Sequence, residues 1–250
     1  MIIKFKKPAA IFCGVILIIF GLLFLLYAVF GMSGDEEIRA KRTSARYGSS
    51  VDPEKPMVAL TYDDGPYTPV TGRILESLKA SGGRATFFVV GSRIEGREEI
   101  TKKIAEYGCE IGNHTYGHVV LTKISNENAL RELTKNDEVI FNTVGIKPSV
   151  VRPPCGCYND FIRQNSGRPL VLWTIDTRDW SHQNKDRTVN TVLSSVKDGD
   201  IILMHDLFVP TAEASEILIP ELVNRGFQLV TVSELIYYRG EINGIVLNNG

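Results

Sequence analysis

The sequence predicts an α/β fold in which parallel strands are covered by helices. From Met57 onward, short apolar runs rich in β-branched and aromatic residues alternate with longer stretches of helical periodicity. This alternation is typical of βα units that bury a parallel sheet beneath helices. Polar residues also follow five of the apolar runs, and parallel α/β barrels gather their functional groups at those strand ends. The length of this region allows an open sheet or an incomplete barrel.

Seven apolar runs are expected to form strands, because each is short and suited to a buried β-structure. In chain order they cover residues 58–62, 85–90, 109–113, 149–152, 170–175, 200–204 and 227–232. Helices are expected between them, at residues 74–80, 98–108, 124–145, near 187–196, near 212–225 and from 233 onward. Gly108 is expected to end the second helix, and Ser125 is the expected N-cap of the third.

Residues 9–32 form a long apolar segment without a charged side chain. A helix needs about 20 apolar residues to cross a membrane, so this segment is predicted to be a transmembrane signal anchor. Lysines precede it and acidic residues follow it, which places residues 1–8 in the cytoplasm and the later chain outside the cell. A cleaved signal peptide is disfavoured, because its apolar region would be only about 7–15 residues long, before a small-x-small site.

The remaining chain divides by composition. Residues 33–56 are polar and lack apolar periodicity, so they are predicted to be a stalk; a folded domain follows at 57–238 and a tail at 239–250. The net charge of −1 provides no basic excess for a phosphate backbone, so no nucleic-acid partner is expected. One of the four cysteines lies in the anchor, which leaves an odd number outside it and therefore at least one free thiol. The fold is for this reason not expected to depend on disulfides.

Two residue pairs at strand ends suggest a metal site. His114 and His118 have a spacing that can place two imidazoles on one metal, although a hydrogen-bonded pair near a turn explains that spacing equally well. Asp63 and Asp64 follow the first strand, and alone they would be interpreted as a solvated turn. Both pairs in one domain favour a metal site, with one carboxylate as a ligand and the other for acid–base chemistry.

Five motifs carry a family resemblance. They are Thr61-Tyr62-Asp63-Asp64-Gly65-Pro66, His114-Thr115-Tyr116-Gly117-His118, Arg152-Pro153-Pro154-Cys155-Gly156, Asp176-Thr177-Arg178-Asp179-Trp180 and Leu203-Met204-His205. With these motifs, residues 56–238 resemble the polysaccharide deacetylases, the family with the NodB-homology domain (carbohydrate esterase family four). The resemblance implies that the domain at 57–238 is catalytic and folds as a distorted, incomplete (β/α) barrel.

The resemblance also implies a metal centre and a general base. It assigns the binding of one divalent metal, usually zinc, to Asp64, His114 and His118. It implies that Asp63 is the general base and that Arg152 orients Asp63.

For the rest of the site, the resemblance implies that Asp176 pairs with His205 and that His205 is the general acid. Trp180 and Leu203 would line the pocket for the acetyl group and sugar, and the backbone N–H of Cys155 would stabilise the oxyanion. Cys155 is a departure, since the family usually has Tyr there, and this leaves the shape of the pocket open. A second metal site at Cys155 and Cys157 is disfavoured.

The expected function is therefore the removal of N-acetyl groups from a cell-wall polysaccharide by a membrane-anchored enzyme. The leading substrate is N-acetylglucosamine of peptidoglycan, with acetate and a free amine as products. The alternatives are muramic acid residues, chitin oligomers or O-acetylated xylan as substrates, and a catalytically inactive sugar-binding module as another class of protein.

Overall fold

The computed structural model of the protein describes residues 51–240 and 243–246. The predicted anchor at 9–32 and the stalk up to residue 50 lie outside the described residues. Within the described ranges, no helix is long and apolar enough to cross a membrane.

Strands and helices alternate along the described chain, as the sequence predicts. The strands are β1 (Met57–Asp63), β2 (Thr86–Val89), β3 (Glu110–Asn113), β4 (Leu170–Val171), β5 (Ile175–Asp176), β6 (Ile201–His205), β7 (Gln228–Leu229) and β8 (Ile245–Val246). The helices are α1 (Thr68–Ser81), α2 (Glu98–Glu106), α3 (Asn126–Val144), α4 (Asp160–Asn165), α5 (Asp179–His182), α6 (Lys185–Leu193), α7 (Val209–Asn224) and α8 (Val232–Arg239).

The main sheet is parallel and has the order β3-β2-β1-β6-β5, with β7 also pairing with β1. Its register aligns the strand ends: Asp63 is the partner of His205, and Asp176 is the partner of Leu203. Because the strands are parallel, their carboxyl ends lie at one edge of the sheet. The polar residues that follow the strands are therefore brought to that edge.

The pairing continues past β3 and returns to the sheet. Val151 bridges Asn113, at the end of β3, and Leu170, at the start of β4. Strands β4 and β5 belong to one segment, residues 170–176, and β5 pairs with β6 of the main sheet. The strand pairing that continues from β3 through Val151 to β4 therefore returns to the sheet at β5. This arrangement is consistent with an irregular barrel, and β8 pairs with β4 antiparallel at its side.

Three expected strands differ from the structure. The run 227–232 forms only the short strand β7, and Val232 already belongs to α8. The run 170–175 is not one strand, because Leu172 N–H donates to the Gly244 carbonyl and Thr174 N–H donates to the Ile201 carbonyl. The segment changes its neighbour within two residues, so it splits into β4 and β5. The run 149–152 contributes only the bridge at Val151.

The core lies between the strands and the inner faces of the helices. Strand β1 is buried along its whole length, as expected for a strand covered on both faces. Helix α1 packs Val70, Ile74 and Leu78 into this core at helical spacing, and it begins at Thr68 rather than at residue 74. The N-cap of α3 is confirmed, since the Ser125 side chain accepts a hydrogen bond from Asn128 N–H. The short helices α4 and α5 were not expected.

The domain extends beyond the boundaries that composition suggests. Asp52 N–H donates to the Gln228 side chain at 2.7 Å, and Arg239 donates to the carbonyls of Pro53 and Lys55. The last residues of the expected stalk are therefore bound to the domain. The expected tail is also partly structured, because β8 pairs with β4.

Candidate active site

The turn after β1 presents two consecutive carboxylates. Asp63 ends the strand and is 4% exposed, while Asp64 adopts a left-handed conformation with φ 74°. Asp tolerates this region better than most residues do. The turn is held by a hydrogen bond that the Asp64 carbonyl accepts from the Arg93 side chain at 2.5 Å. Both carboxylates line the same pocket.

Asp64, His114 and His118, the metal ligands that the family resemblance implies, lie together. One possible ligand atom from each of the three lies within 4.8 Å of the others. Asp64 Oδ1 is 2.9 Å from His118 Nε2 and 3.5 Å from His114 Nε2, yet it accepts no directed hydrogen bond. A buried carboxylate oxygen without such a bond, facing two imidazole nitrogens, fits a divalent metal. The residues present therefore suit the ion that the family resemblance implies.

The main chain after β3 aims the two imidazoles. Thr115 and His118 have φ values of 64° and 55°, so the loop turns sharply on either side of Tyr116 and Gly117. His114 Nδ1–H donates to the Arg152 carbonyl at 2.7 Å, which leaves Nε2 directed at Asp64. Such a contact fixes the tautomer of a metal-binding histidine.

The electrostatics of this cluster favour the protonation states that metal binding needs. Burial lowers the pKa of His114 and so favours its neutral form, despite the charges of Asp63 and Asp64. Burial would raise the pKa of Asp64, but the neighbouring His118 and His114 outweigh burial and hold that pKa well below its usual range.

Arg152 holds Asp63 from beneath the pocket. Its side chain is fully buried, and Nη1 donates to Asp63 Oδ1 at 2.7 Å and to Thr61 Oγ1 at 2.7 Å. Its Nε and Nη2 donate to the carbonyls of Val171 and Leu172, so each nitrogen of the guanidinium head is held. A buried charge is stable only when it is paired and hydrogen-bonded in this way. The second Asp63 oxygen lies 3.8 Å from His114 Nε2.

The expected pairing of His205 with Asp176 is wrong. His205 Nδ1–H donates to Asp179 Oδ1 at 2.7 Å, and His205 N–H donates to Asp179 Oδ2. Asp176 is exposed, and its carboxylate accepts a hydrogen bond from Arg178 N–H. Arg178 is left-handed with φ 55° and precedes the short helix α5, whose first residue, Asp179, bonds to His205 at the end of β6.

Asp179 is well placed to influence His205. Its carboxylate is buried and also accepts a hydrogen bond from Thr211 Oγ1 at 2.6 Å. Burial would lower the pKa of His205, but the hydrogen bond and negative charge of Asp179 raise it to about 9. The imidazole is therefore protonated at neutral pH.

A pocket of about 470 Å³ joins these groups. Its walls include Trp180, which is 52% exposed, and Leu203, which is 4% exposed, the two residues that the family resemblance places there. Trp173 and Phe208 also line it, although no motif in the sequence indicates them. Trp173 lies within the run 170–175, which is expected to form one strand, so its place in the pocket is not evident from the sequence. Phe208 belongs to none of the five motifs.

Cys155 also lies at the pocket, with its side chain exposed and φ 57°. Burial of part of the thiol, with the nearby Cys157 and Asp64, raises the pKa of Cys155. Its carbonyl faces Cys157 Sγ at 3.6 Å. Cys109 is buried, and burial raises the pKa of its thiol to about 12.

Comparisons with known proteins agree with this geometry. A family model for polysaccharide deacetylase matches residues 50–168. The peptidoglycan-N-acetylmuramic acid deacetylase PdaC of Bacillus subtilis (strain 168) is 40% identical over 186 residues, which cover 74% of this chain and 40% of PdaC. This chain therefore aligns with about two fifths of the length of PdaC.

A shorter relative is covered almost completely. A peptidoglycan-N-acetylglucosamine deacetylase of Bacillus cereus is 34% identical over 191 residues, which cover 73% of this chain and 89% of the relative. The solved structure of PdaC from Bacillus subtilis superposes with a TM-score of 0.74 and 40% identity, covering 76% of this chain and 94% of that one. The sequence identity, the coverage and the shared fold together establish that this chain belongs to the polysaccharide deacetylase family.

Proposed function

We propose that this protein is a metal-dependent hydrolase that removes N-acetyl groups from cell-wall polysaccharide, with N-acetylglucosamine of peptidoglycan as substrate. The observation that carries the proposal is the meeting of three groups in one pocket. These are the Asp64–His114–His118 cluster, the Arg152-held Asp63 and the Asp179-held His205. The names of the Bacillus relatives support peptidoglycan as the substrate class.

The metal would be held by Asp64, His114 and His118. Two imidazoles and one carboxylate are a donor set that suits Zn²⁺. When bound, the ion supplies a Lewis acid that lowers the pKa of water to about 7 and polarises the acetyl carbonyl.

Asp63 is the proposed general base. Arg152 fixes one of its carboxylate oxygens, so the other is left to take a proton from the attacking water. The fixed orientation matters because a base acts only within hydrogen-bond reach of the proton that it removes.

His205 is the proposed general acid. Its Nδ1–H is bound to Asp179, so Nε2–H is the proton that it can give to the departing amine. With a pKa of about 9, the imidazole carries this proton at neutral pH. Asp179, rather than Asp176, maintains that state.

The acetyl group would occupy the space beside Leu203 and Trp180, and the Cys155 N–H would donate to the developing oxyanion. The apolar, almost fully buried Leu203 suits a methyl group. The exposed indole of Trp180 offers a flat apolar face to a sugar ring. Asp176 also lines this pocket, where it can contact substrate directly.

The protein would work at the outer face of the cell membrane. Residues 9–32 would anchor it, and residues 33–50 would tether the domain near the wall. This placement would bring the pocket to an insoluble substrate that cannot diffuse.

The test is acetate release by the purified protein. It is incubated with Zn²⁺ and either peptidoglycan or chitin oligomers, and mass spectrometry follows the loss of acetyl groups. An Asp64→Ala variant serves as the inactive control. Failure to release acetate from any of these substrates, with Zn²⁺ bound, would favour a sugar-binding module instead.

A second substrate has specific support. PdaC is named for N-acetylmuramic acid, and it is 40% identical to this chain. Muramidase digestion of treated peptidoglycan separates the two possibilities, because each sugar of the product can be analysed for its acetyl group. If acetyl groups are lost only from the muramic acid residues, the substrate is N-acetylmuramic acid and not N-acetylglucosamine.

A further inference from the structure

We infer that Asn113 is a positioning residue of the metal centre, and that Asp137 on α3 anchors it. The inference rests on the proposed function, since it concerns how the same ion would be held. Asn113 is fully buried at the end of β3, one residue before His114. Its side-chain amide bonds on one side to the ligand loop and on the other to α3.

The ligand loop needs a restraint. Thr115 is β-branched, fully buried and left-handed, a conformation that such residues rarely adopt. Asn113 Oδ1 accepts a hydrogen bond from Thr115 N–H at 2.8 Å, and Gly91 N–H donates to the Thr115 carbonyl at 3.1 Å. These two bonds hold the peptide groups that follow His114. Without the first, Thr115 is free to relax towards ordinary φ, which would move the two imidazoles apart.

The other end of the Asn113 side chain is anchored on α3. Its Nδ2 donates to the Leu133 carbonyl at 2.8 Å and to Asp137 Oδ1 at 2.6 Å. Asp137 is itself paired with Arg168 at 2.6 Å. Since α3 is a long, regular helix, Asn113 attaches the ligand loop to a rigid element.

The main chain of Asn113 links the ligand to the proposed base. Its carbonyl accepts a hydrogen bond from Arg152 N–H at 2.9 Å, while its own N–H donates to the Val150 carbonyl. The Arg152 carbonyl in turn accepts a hydrogen bond from His114 Nδ1–H, and the Arg152 guanidinium donates to Asp63. Asn113 therefore connects His114 to Asp63 without touching either carboxylate of the turn.

The test is Zn²⁺ affinity, measured on the full-length chain by titration against a competing chelator. Asn113→Ala should weaken Zn²⁺ binding about 10–100-fold, the loss typical of residues that orient metal ligands. Asn113→Ser should bind more tightly than Asn113→Ala, because a serine hydroxyl can still accept the Thr115 N–H. Both variants lose the two bonds that Asn113 Nδ2 donates to α3, so their difference reports the bonds that the side-chain oxygen accepts from Thr115 and Asn136.

Asn136→Ala is the matched control. Asn136 is also a fully buried amide, and it donates to the Val89 carbonyl and to Asn113 Oδ1. Its removal leaves the Asn113–Thr115 bond in place, so Zn²⁺ affinity should stay near that of the wild type. If Asn136→Ala weakens Zn²⁺ binding as much as Asn113→Ala does, loosened packing explains both losses and the inference is wrong.

The remaining outcomes separate this inference from the proposed function. Wild-type Zn²⁺ affinity in Asn113→Ala, while the wild type binds one ion, overturns the role of Asn113 and leaves the proposed function intact. A wild-type protein that binds no divalent metal overturns both. Should Asn113→Ala fail to fold, Asn113→Ser decides alone: it supports the inference if its affinity is lower than that of the wild type, and overturns it if the two are equal.

Discussion

At the scale of single residues, the two carboxylates of the β1 turn have different surroundings. Asp63 is held by Arg152, and Asp64 faces the two imidazoles. In Asp63→Asn, the side-chain oxygen still accepts from Arg152 while the base is lost. We expect normal metal content and a fall in kcat of about 10²–10⁴-fold, from kinetics and metal analysis on the same sample. If purified Asp63→Asn contains no metal, Asp63 is the ligand and the roles of the two aspartates are exchanged.

The contact between Asp179 and His205 predicts a pH effect. Asp179→Asn removes the negative charge that raises the pKa of His205, so that pKa should fall from about 9 towards its ordinary value. Because the general acid must be protonated, the alkaline limb of kcat/KM should move to lower pH. With an ordinary pKa near 6.5, only roughly one molecule in ten would keep the proton at pH 7.5.

Asp176→Asn is the control for this effect, because it leaves the contact between His205 and Asp179 intact. Its alkaline limb should stay where the wild type has it, whatever happens to KM. If Asp176→Asn moves the limb and Asp179→Asn does not, the assignment of the partner is mistaken.

At the scale of elements, the β1 turn depends on a glycine. A Cβ on Gly65 would lie 2.2–2.5 Å from the carboxyl group of Asp206, which is fully buried and bonded to Thr71. Burial raises the pKa of Asp206 to about 7. Asp206 N–H also donates to the Asp63 carbonyl, so the side chain cannot withdraw without disturbing the turn.

Gly65→Ala should therefore lower the free energy of unfolding by about 1–3 kcal/mol, as overpacking does, and reduce metal binding. Gly72→Ala on α1 is the matched control, since its Cβ would meet only Ile100 at an ordinary 3.8 Å. A helical Gly-to-Ala change should raise stability by roughly 0.5–1 kcal/mol. Urea unfolding measures both, and equal effects would exclude the proposed clash.

The elements also show how far the sequence could predict this site. The site residues at the carboxyl ends of β1, β3 and β6 can be found from the sequence because each stands at the end of an apolar run. Asp176 and Asp179 could not be told apart, because the left-handed Arg178 that selects between them has no signature in the sequence. Trp173 was missed for a similar reason, since the split of 170–176 into β4 and β5 depends on partners distant in the chain.

At the scale of the whole molecule, the three ligands connect separate parts of the fold. Asp64 follows β1, whereas His114 and His118 follow β3, and β2 lies between these strands in the sheet. A metal that bridges them would bind the folded chain and not the unfolded one. The stability of the domain should then depend on free metal concentration.

Zn²⁺ at a hundred times its dissociation constant should stabilise the fold by about 2.7 kcal/mol. For a domain of this size, that corresponds to a rise in Tm of roughly 5–10 °C, reversed by a chelator. His118→Ala should abolish the rise. His182→Ala should preserve it, because His182 bonds to the Thr177 carbonyl and the Asn184 N–H, outside the ligand cluster. Thermal unfolding with and without Zn²⁺ compares the three proteins, and a rise that survives in His118→Ala would place the ion elsewhere.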